Sequence, residues 1–282
     1  MSFSKPIFVS SHLLHTIFVI VHIHKKETLP TEAIAMPSFC RRIQLEGRQT
    51  SQAGEVRAVL EDDFHHFRVA LRHRLGRVSE ISAEAPRHPF TECPNAAAPL
   101  NALLGMQLEP IASAVTRHTD ASLQCTHMFD LAGLAIAAAA RGITHRRFDI
   151  EIPRHVDGGS HARLVRDDGL RLDWEVQERT IVSPPPYAGI DMRQGMARWA
   201  LSSLAPDEAE AALVLRRCAL IALGRLRDID KDLHARPSGR CFAQQPERAP
   251  QAIRIVGSTG DFTAHPERLC RDDQSWLHAF AE

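Results

Sequence analysis

Apolar and polar residues alternate along much of the first half of the chain, which is the pattern of half-buried strands. Four segments of this kind are short, alternating or rich in β-branched residues, and glycines separate them. They are Arg41 to Arg48, Glu55 to Glu61, Phe64 to Leu75 and Arg77 to Ala85. Because the side chains of a strand point to alternate faces, His65 is predicted to face the interior and His66 the solvent or the rim of a cleft.

Three helices are predicted after these strands. Cys93 and Pro94 open the first one, since proline suits the first helical position, and it ends at Gly105. The segment from Pro110 to His118 predicts a second, short helix. The third runs from Cys125 to Arg141, is stopped by a glycine, and has an alanine-rich face that predicts a buried central helix.

A second group of strands and a long helix follow. The strands are predicted at Arg146 to Ile152, Ala162 to Arg166 and Leu170 to Val182. Pro206 begins the helix, with acidic residues in its first turn and basic residues toward its end, as the helix dipole favours. One apolar face is predicted to continue along it through Leu215, Ala219, Ala222, Leu226, Ile229 and Leu233. That face predicts packing against the core or a partner subunit, and hence a homodimer.

Together these elements predict an α+β fold. An antiparallel sheet packs on central helices in a βββααα-like block, and a second β-rich portion and a long helix complete the body. Residues 36–155 are expected to form the core, and residues 156–282 to pack on it as one unit. Residues 1–35 are interpreted as a disordered or mis-annotated extension, with Met36 as the natural start.

The charge balance and the apolar runs argue against several classes of protein. The 34 basic and 34 acidic side chains leave no net charge to attract nucleic acid or an anionic membrane. No apolar run reaches the roughly 18 residues of a membrane helix. The six cysteines are dispersed without a CxxC pair, which favours a reducing cytoplasm. The chain is therefore expected to be cytoplasmic, with no nucleic-acid or membrane partner.

The run from Glu61 to His66 is a candidate for acid–base chemistry. It places three carboxylates beside two imidazoles, so that neighbouring charges can tune the pKa of a general base. Strand alternation predicts Glu61, Asp63 and His65 on one side and Asp62 and His66 on the other. The alternative is a solvated turn between two strands.

Cys93 and Cys125 are the candidate metal ligands. Each is predicted at the N-terminus of a helix, where unpaired N–H groups favour a thiolate. Two thiolates with His65, His66 or His127 would make a ligand set for zinc or iron. The alternative is a pair of buried, inert cysteines at tight turns.

A cation for the site could come from Arg147, whose guanidinium, like that of Arg146, can hold a carboxylate or phenolate with two hydrogen bonds. The alternative for both arginines is an exposed strand edge. The sequence has no nucleotide-binding or dinucleotide-binding loop, no serine-hydrolase elbow and no zinc-protease helix motif. No organic cofactor is therefore expected.

Three short stretches resemble the bacterial family DUF2889 over roughly residues 38 to 155. They are Cys93-Pro94, the ending Leu103-Leu104-Gly105, and Cys125-Thr126-His127-Met128 followed by Leu131. Residues 54–141 are also similar in layout to iron–sulfur scaffold proteins of the IscU/NifU type, in which three antiparallel strands precede helices that start at cysteines. By that similarity Cys93 and Cys125 correspond to the second and third cluster cysteines, and the first is absent.

The leading hypothesis is a small-molecule enzyme that works by acid–base chemistry without a cofactor. The resemblance to DUF2889 implies catabolism of an aromatic or lignin-derived substrate by a carbon–carbon lyase that releases formaldehyde or another aldehyde. His65 or Asp62 would take a hydroxyl proton, with His66 as a further candidate, and Arg147 or a protonated His127 would stabilise a departing phenolate. The alternatives are a metal or iron–sulfur module at the two cysteines, and an assembly protein whose long helix binds a partner.

Overall fold

Eight antiparallel strands form one sheet in residues 37–280, the part of the chain that the computed structural model describes. The strands are β1 (Ser38–Gln49), β2 (Ala53–Asp62), β3 (His66–Arg74), β4 (Arg77–Arg87), β5 (His145–Pro153), β6 (Gly159–Arg166), β7 (Arg171–Gln177) and β8 (Thr180–Ser183). Their order across the sheet is β4-β3-β2-β1-β5-β6-β7-β8. The predicted α+β class is confirmed, and both predicted groups of strands meet at the β1–β5 pair. The predicted extension at residues 1–35 lies outside the described residues.

Two long helices lie side by side on the sheet. The α-helices are α1 (Val115–His118), α2 (Thr126–Arg141), α3 (Met196–Ser203), α4 (Pro206–Ala222) and α5 (Gln274–His278). Short 3-10 helices lie at Pro94–Leu103, Ala112–Ala114, Ala121–Leu123, Leu223–Leu226, Ile229–Lys231, Phe242–Gln244, Pro266–Arg268 and Arg271–Asp273. Helix α2 packs mainly on β2 and β3, whereas α4 packs on β5, β6 and β7. The central strand β1 therefore lies beneath the gap between these two helices.

In residues 37–280 none of the helices combines the length and the apolar character that a membrane span requires.

Helix α2 has the bounds that the sequence predicts. Cys125 is its N-cap, and Gly142 ends it in the left-handed conformation, with φ of 70°. Nearly every residue from His127 to Ala139 is buried. Because many of these residues are alanine or glycine, neighbouring backbone can come close to the helix. The closest approach is at Gly133, where a Cβ atom would lie 2.4 Å from the carbonyl oxygen of Ala112.

The helix after Cys93 is a 3-10 helix, Pro94–Leu103, rather than the α-helix that the capping signals predict. Pro99 lies inside it. Proline has no N–H to donate and its ring clashes with the preceding turn of an α-helix, so the tighter and less regular conformation results.

The long helix is shorter than its apolar pattern predicts. It ends at Ala222, and Leu226 and Leu233 are 46% and 71% exposed. The chain turns where Gly224 packs on the ring of Phe64, leaving only 3.0 Å between that ring and the position of a Cβ atom. The predicted apolar face is thus buried only as far as Ala222, and the homodimer inferred from it stays a prediction.

The C-terminal segment, residues 266–278, covers the opposite face of the sheet. Cys270 and Leu277 pack on Val59 of β2 to form a small second core. Arg42 of β1 donates a hydrogen bond to the carbonyl oxygen of Leu269, at 3.0 Å. Both faces of β1 and β2 are consequently buried, which explains why polar side chains there must find partners inside the protein.

Replacing Gly133 with alanine tests the contact between α2 and residue 112. We expect Gly133→Ala to lower the free energy of unfolding by about 1–3 kcal/mol, because the methyl group forces the backbone of Ala112 away. In an exposed helix the same change would stabilise by roughly 1 kcal/mol. Urea unfolding followed by circular dichroism shows whether the free energy of unfolding falls or rises. A rise would contradict the close packing.

Candidate functional site

The acidic and histidine run forms a tight turn between β2 and β3. The N–H of Asp62 donates to the carbonyl oxygen of His65 at 2.8 Å and closes the turn. Asp62 Oδ1 accepts hydrogen bonds from the N–H groups of Phe64, at 2.6 Å, and His65, at 2.7 Å. An aspartate that caps the backbone two and three residues later is a typical turn former. The alternative of a turn is therefore correct, although this turn is buried rather than solvated.

This turn makes the predicted division of the run between two faces wrong. The chain reverses between Asp62 and His65, so these two side chains lie on the inner face beneath α2. Glu61 pairs directly with His66 across the two strands, and both lie on the outer face. Alternation holds along one strand but not around a reversal, which is why Asp62 and His65 meet.

Four residues from three separate parts of the chain meet on the inner face, and we call them the inner cluster: Arg41, Asp62, His65 and His127. Arg41 Nε donates to Asp62 Oδ2 at 2.8 Å, and Arg41 Nη2 donates to the same oxygen. Asp62 Oδ1 lies 3.1 Å from His65 Nδ1. The rings of His65 and His127 lie with their centroids 3.9 Å apart and are tilted by 32° to each other. Asp62 thus links a guanidinium to a pair of imidazoles.

The electrostatics of the cluster follow from its burial. Burial alone would raise the pKa of Asp62, but the charge of Arg41 and the hydrogen bond from His65 outweigh it and hold that pKa well below its usual range. Burial lowers the pKa of His65 despite the attraction of Asp62. Burial, together with the charge of Arg41, lowers the pKa of His127 well below 6.5. Both imidazoles are therefore neutral at pH 7.

The neighbour of His65 also decides its tautomer. Since the ionised carboxylate of Asp62 can only accept, His65 must carry its proton on Nδ1. Its Nε2 then has a free lone pair, which is the form that a general base needs. The side chain of His65 is 13% exposed, so this edge of the cluster is accessible. Asp62 is fully buried and its oxygens are occupied, so it positions His65 and is not itself a base.

Arg41 is the member of the inner cluster that the sequence reasoning missed. It faces Asp62 directly in the register of β1 and β2. A signal was present, because Phe39, Arg41, Ile43 and Leu45 alternate and place the arginine on a buried apolar face. A charge among such residues needs a partner, and that requirement points to a buried carboxylate.

A cavity of about 380 Å³ fills the gap between α2 and α4 above β1. Arg41, Ile43 and Leu60 form its floor, and Leu131 and Leu134 of α2 line one wall. Its volume lies within the range of small-molecule sites, and its walls are mostly apolar. The cavity meets the inner cluster at Arg41.

Arg147 does not take part in this arrangement. It lies on the outer face of β5, where its Nε is 2.9 Å from Asp149 Oδ2 and its side chain is 47% exposed. Register explains the separation, because Arg147 pairs with Gln44 of β1, whose side chain lies on the opposite face from Arg41. The predicted role of Arg147 beside His65 is wrong, and the alternative of an exposed position is correct.

His66 belongs to a separate group on the outer face, which we call the outer cluster: Glu61, His66 and Asp273. His66 Nε2 lies 2.9 Å from Asp273 Oδ2, and Arg68 Nε donates to Asp273 Oδ1 at 2.6 Å. The N–H of Cys270 donates to Glu61 Oε2 at 2.7 Å. These contacts fasten the C-terminal segment to the sheet, so His66 is separated from the inner cluster by the sheet itself.

Cys93 and Cys125 do not favour the thiolate form. Burial raises the pKa of Cys125 to about 12, which outweighs the backbone N–H groups of Met128 and His127 that lower it. Burial likewise raises the pKa of Cys93 well above 9.0. The predicted helix N-termini are present at both residues, but the loss of solvation dominates over their N–H groups. Cys93 and Cys125 are buried, protonated thiols, as the alternative interpretation predicts.

The groups that could hold a metal differ from the predicted cysteine set. Among residues 37–280, two sets of three side chains bring their ligand atoms within 4.8 Å of one another, and neither contains a cysteine. They are Asp62, His65 and His127, and Glu61, His66 and Asp273. The first set suits a cation poorly as it stands, because both oxygens of Asp62 are already hydrogen-bonded and Arg41 places a positive charge beside them.

The fold and site define an α+β protein with a buried cluster of charged and imidazole side chains that meets an apolar cavity at Arg41. The family model described as a protein of unknown function (DUF2889) matches residues 41–141. The chain is DUF2889-like over this stretch, which confirms that resemblance and includes all four residues of the inner cluster. No curated protein and no solved structure matches the chain. The similarity in layout to iron–sulfur scaffold proteins stays a prediction.

Removing the charge of Asp62 tests the central ion pair. We expect Asp62→Asn to lower the free energy of unfolding by about 3–5 kcal/mol, because Arg41 is left as an unpaired buried charge. Since the folded-state pKa of Asp62 is depressed, this stabilisation is fully present above pH 3.8 and is lost as the pH falls through the folded-state pKa. Urea unfolding between pH 4 and 8 measures it.

Asp63→Asn is the matched control for that variant. Asp63 is also fully buried, but burial raises its pKa to about 7 although Arg225 opposes the shift. Its carboxyl group is therefore partly protonated at neutral pH, and the neutral amide should cost clearly less than at Asp62. Equal losses in the two variants would contradict a special role for the pair of Arg41 and Asp62.

The outer cluster generates a separate prediction about the C-terminal segment. Asp273→Asn weakens the contacts from His66 and Arg68, so we expect trypsin to cleave the native protein after the exposed Arg271 faster than in wild type. Asp272→Asn is the control, because its side chain is 88% exposed. Mass spectrometry of timed digests identifies the cleavage, and equal rates for the two variants would rule out the fastening role.

Proposed function

We propose that the protein is an enzyme that performs acid–base chemistry on a small organic molecule without an organic cofactor. The arrangement of Asp62, His65 and His127, which Arg41 connects to a cavity, carries this proposal. An acidic residue that holds a neutral histidine by its Nδ1 proton and leaves Nε2 free is the arrangement of a general base with its orienting carboxylate. The apolar cavity that meets this cluster at Arg41 suits a small substrate.

The reaction class that we propose is a carbon–carbon lyase. His65 Nε2 accepts the proton of a hydroxymethyl group on the substrate, and the electrons of the O–H bond form the C=O bond of the released aldehyde. The electron pair of the broken carbon–carbon bond forms a C=C bond and expels a phenolate from the adjacent carbon. Asp62 stabilises the imidazolium that forms on His65, and the proton later leaves to the phenolate or to water.

The charge distribution supports Arg41 as the cation of this reaction. The pKa of His127 lies well below 6.5, so a protonated His127 is not populated at neutral pH, and Arg147 lies on the other face of the sheet. Arg41 is always protonated, fully buried and in contact with the cavity. Arg41 is part of the cavity floor, so a negative charge that develops on a substrate at this floor would lie beside its guanidinium.

His127 has a second role in the proposal, as a contact for the substrate. Its Nε2 is buried and has no hydrogen-bond partner among residues 37–280. A buried polar atom without a partner costs free energy, which a substrate hydroxyl or carbonyl group would recover. The neutral imidazole of His127 would thus orient the group whose proton His65 removes.

The biological setting that we propose is the catabolism of aromatic or lignin-derived compounds in the cytoplasm. The mostly apolar cavity suits an aromatic ring. All six cysteines are free thiols, which suits a reducing compartment.

A metal centre at Asp62, His65 and His127 is the second candidate, because their ligand atoms lie close together. It requires Asp62 to exchange its hydrogen bonds for a metal bond beside Arg41. Elemental analysis of protein purified without added metal decides this: about one zinc or iron per chain, lost in His127→Ala, would favour the metal centre. A metal content unchanged by His127→Ala would count against it.

The lyase proposal is tested by aldehyde release from aromatic compounds in which the carbon bearing a hydroxymethyl group is bonded to a carbon that bears a phenoxy group. We expect His65→Ala to lower kcat by roughly 10²–10⁴ while the protein stays folded. His118→Ala is the matched control on the exposed surface and should keep full activity. No aldehyde from any such compound with wild type would contradict the reaction class, and full activity in His65→Ala would contradict the base.

The pH profile gives an independent test of the same base. Because burial depresses the pKa of His65, kcat/KM should decrease at low pH with a midpoint below 6.5. Steady-state kinetics measured in buffers of equal ionic strength would show this limb. A decrease with its midpoint above pH 7 would assign the proton transfer to another group.

A further inference from the structure

The positive charges around the cavity are not all neutralised. Among its lining residues, Arg41 is paired with Asp62, and Arg217 Nε lies 2.8 Å from Asp130 Oδ2. The carboxylate of Glu210 is held by Arg141 at 3.2 Å. These pairs cancel the charge of each of their members inside or near the cavity.

Two further arginines line the same cavity without an ion pair. Arg216 of α4 donates from Nε to the carbonyl oxygen of Met192, and neither it nor Arg198 of α3 forms a salt bridge with any residue in the range 37–280. Arg216 is only partly exposed, and burial together with the charge of Arg217 lowers its pKa. Two arginines of the cavity lining are therefore left without an ion pair among the described residues, although Asp130 and Asp191 lie close enough to act on Arg216.

We propose that this cavity binds an amphipathic organic acid, whose anionic group pairs with Arg216 and Arg198 and whose apolar body lies between α2 and α4 on Ile43 and Leu60. The proposal rests on the proposed function only in calling this ligand the substrate of the enzyme. A single carboxylate or sulfonate would neutralise a guanidinium that is costly to hold partly buried and unpaired.

The shape of the cavity supports the apolar half of this ligand. Ile111 and Leu201 line it and are 39% and 44% exposed, so its mouth offers apolar surface to an entering molecule. Leu131 and Leu134 continue the apolar wall inward from α2. A ligand with a charged group at one end and rings at the other matches both sets of contacts, whereas a sugar or a polyanion matches only one.

A pair of fluorescent probes separates charge from apolar contact. 8-Anilinonaphthalene-1-sulfonate carries one negative charge, and N-phenyl-1-naphthylamine has the same rings without it. We expect one sulfonate probe per chain, bound at least tenfold more tightly than the neutral probe. Arg216→Met should weaken the sulfonate probe by roughly tenfold to hundredfold, the range for a lost hydrogen bond to a charged group, and leave the neutral probe unchanged.

Three further variants make the result specific to the cavity. Arg198→Met is expected to weaken the sulfonate probe too, and because Arg198 is exposed this variant tests the charge even where Arg216→Met fails to fold. Arg193→Met removes an exposed arginine outside the cavity lining and should change neither affinity. Leu213→Trp fills the cavity and should weaken both probes.

Equal affinity of wild type for the two probes would overturn the proposal, and so would an unchanged affinity for the sulfonate probe in the folded arginine variants. His65→Ala should bind the sulfonate probe like wild type, since His65 does not line the cavity. An anion preference in a protein that releases no aldehyde would therefore establish the ligand class while the proposed reaction fails. Aldehyde release by a protein without an anion preference would support the proposed reaction and overturn the proposed ligand class.

Discussion

Arg41 and Asp62 face each other across β1 and β2, both almost completely buried, and their attraction holds the site together. Two charges are costly to bury, and the cost is recovered only where every donor and lone pair has a partner. Asp62 meets this condition with bonds to Arg41, to His65 and to two backbone N–H groups. The same bonds close the turn from β2 to β3, fix the tautomer of His65 and place a permanent cation at the cavity. Stability and chemistry thus depend on one carboxylate.

The position of β1 explains why a cavity exists at this point. As the central strand, β1 is flanked by the strands that carry α2 on one side and by those that carry α4 on the other. Two helices that pack on different strands leave a gap above the strand between them, and its inner side chains become the floor of a cavity. Because the C-terminal segment covers the other face, the polar residues of the β2–β3 turn divide into an inner and an outer cluster with separate roles.

The sequence predicts the individual helices and strands of this fold better than the contacts between them. The bounds of α2 follow from Cys125, the alanine-rich stripe and Gly142, because capping and periodicity act within a few residues. The end of α4 depends instead on a contact between Gly224 and Phe64, which are far apart in the chain. The roles of Asp62 and Arg147 depend on a reversal and on strand register, which alternation alone does not reveal. His65 could be proposed from its neighbours, and alternation along β1 marks Arg41 as buried, but only the pairing of β1 with β2 reveals that Asp62 is its partner.

The protonation state of His65 decides whether Asp62 orients a base. Nitrogen-15 NMR of the histidine side chains, assigned with His65→Ala, reports the tautomer and the pKa of each imidazole. A neutral His65 at pH 7, protonated at Nδ1, unprotonated at Nε2 and titrating below 6.5, is the result predicted from its contact with Asp62 and its burial. A His65 that is charged at pH 7, or that carries its proton on Nε2, would contradict both the orienting role of Asp62 and the proposed base.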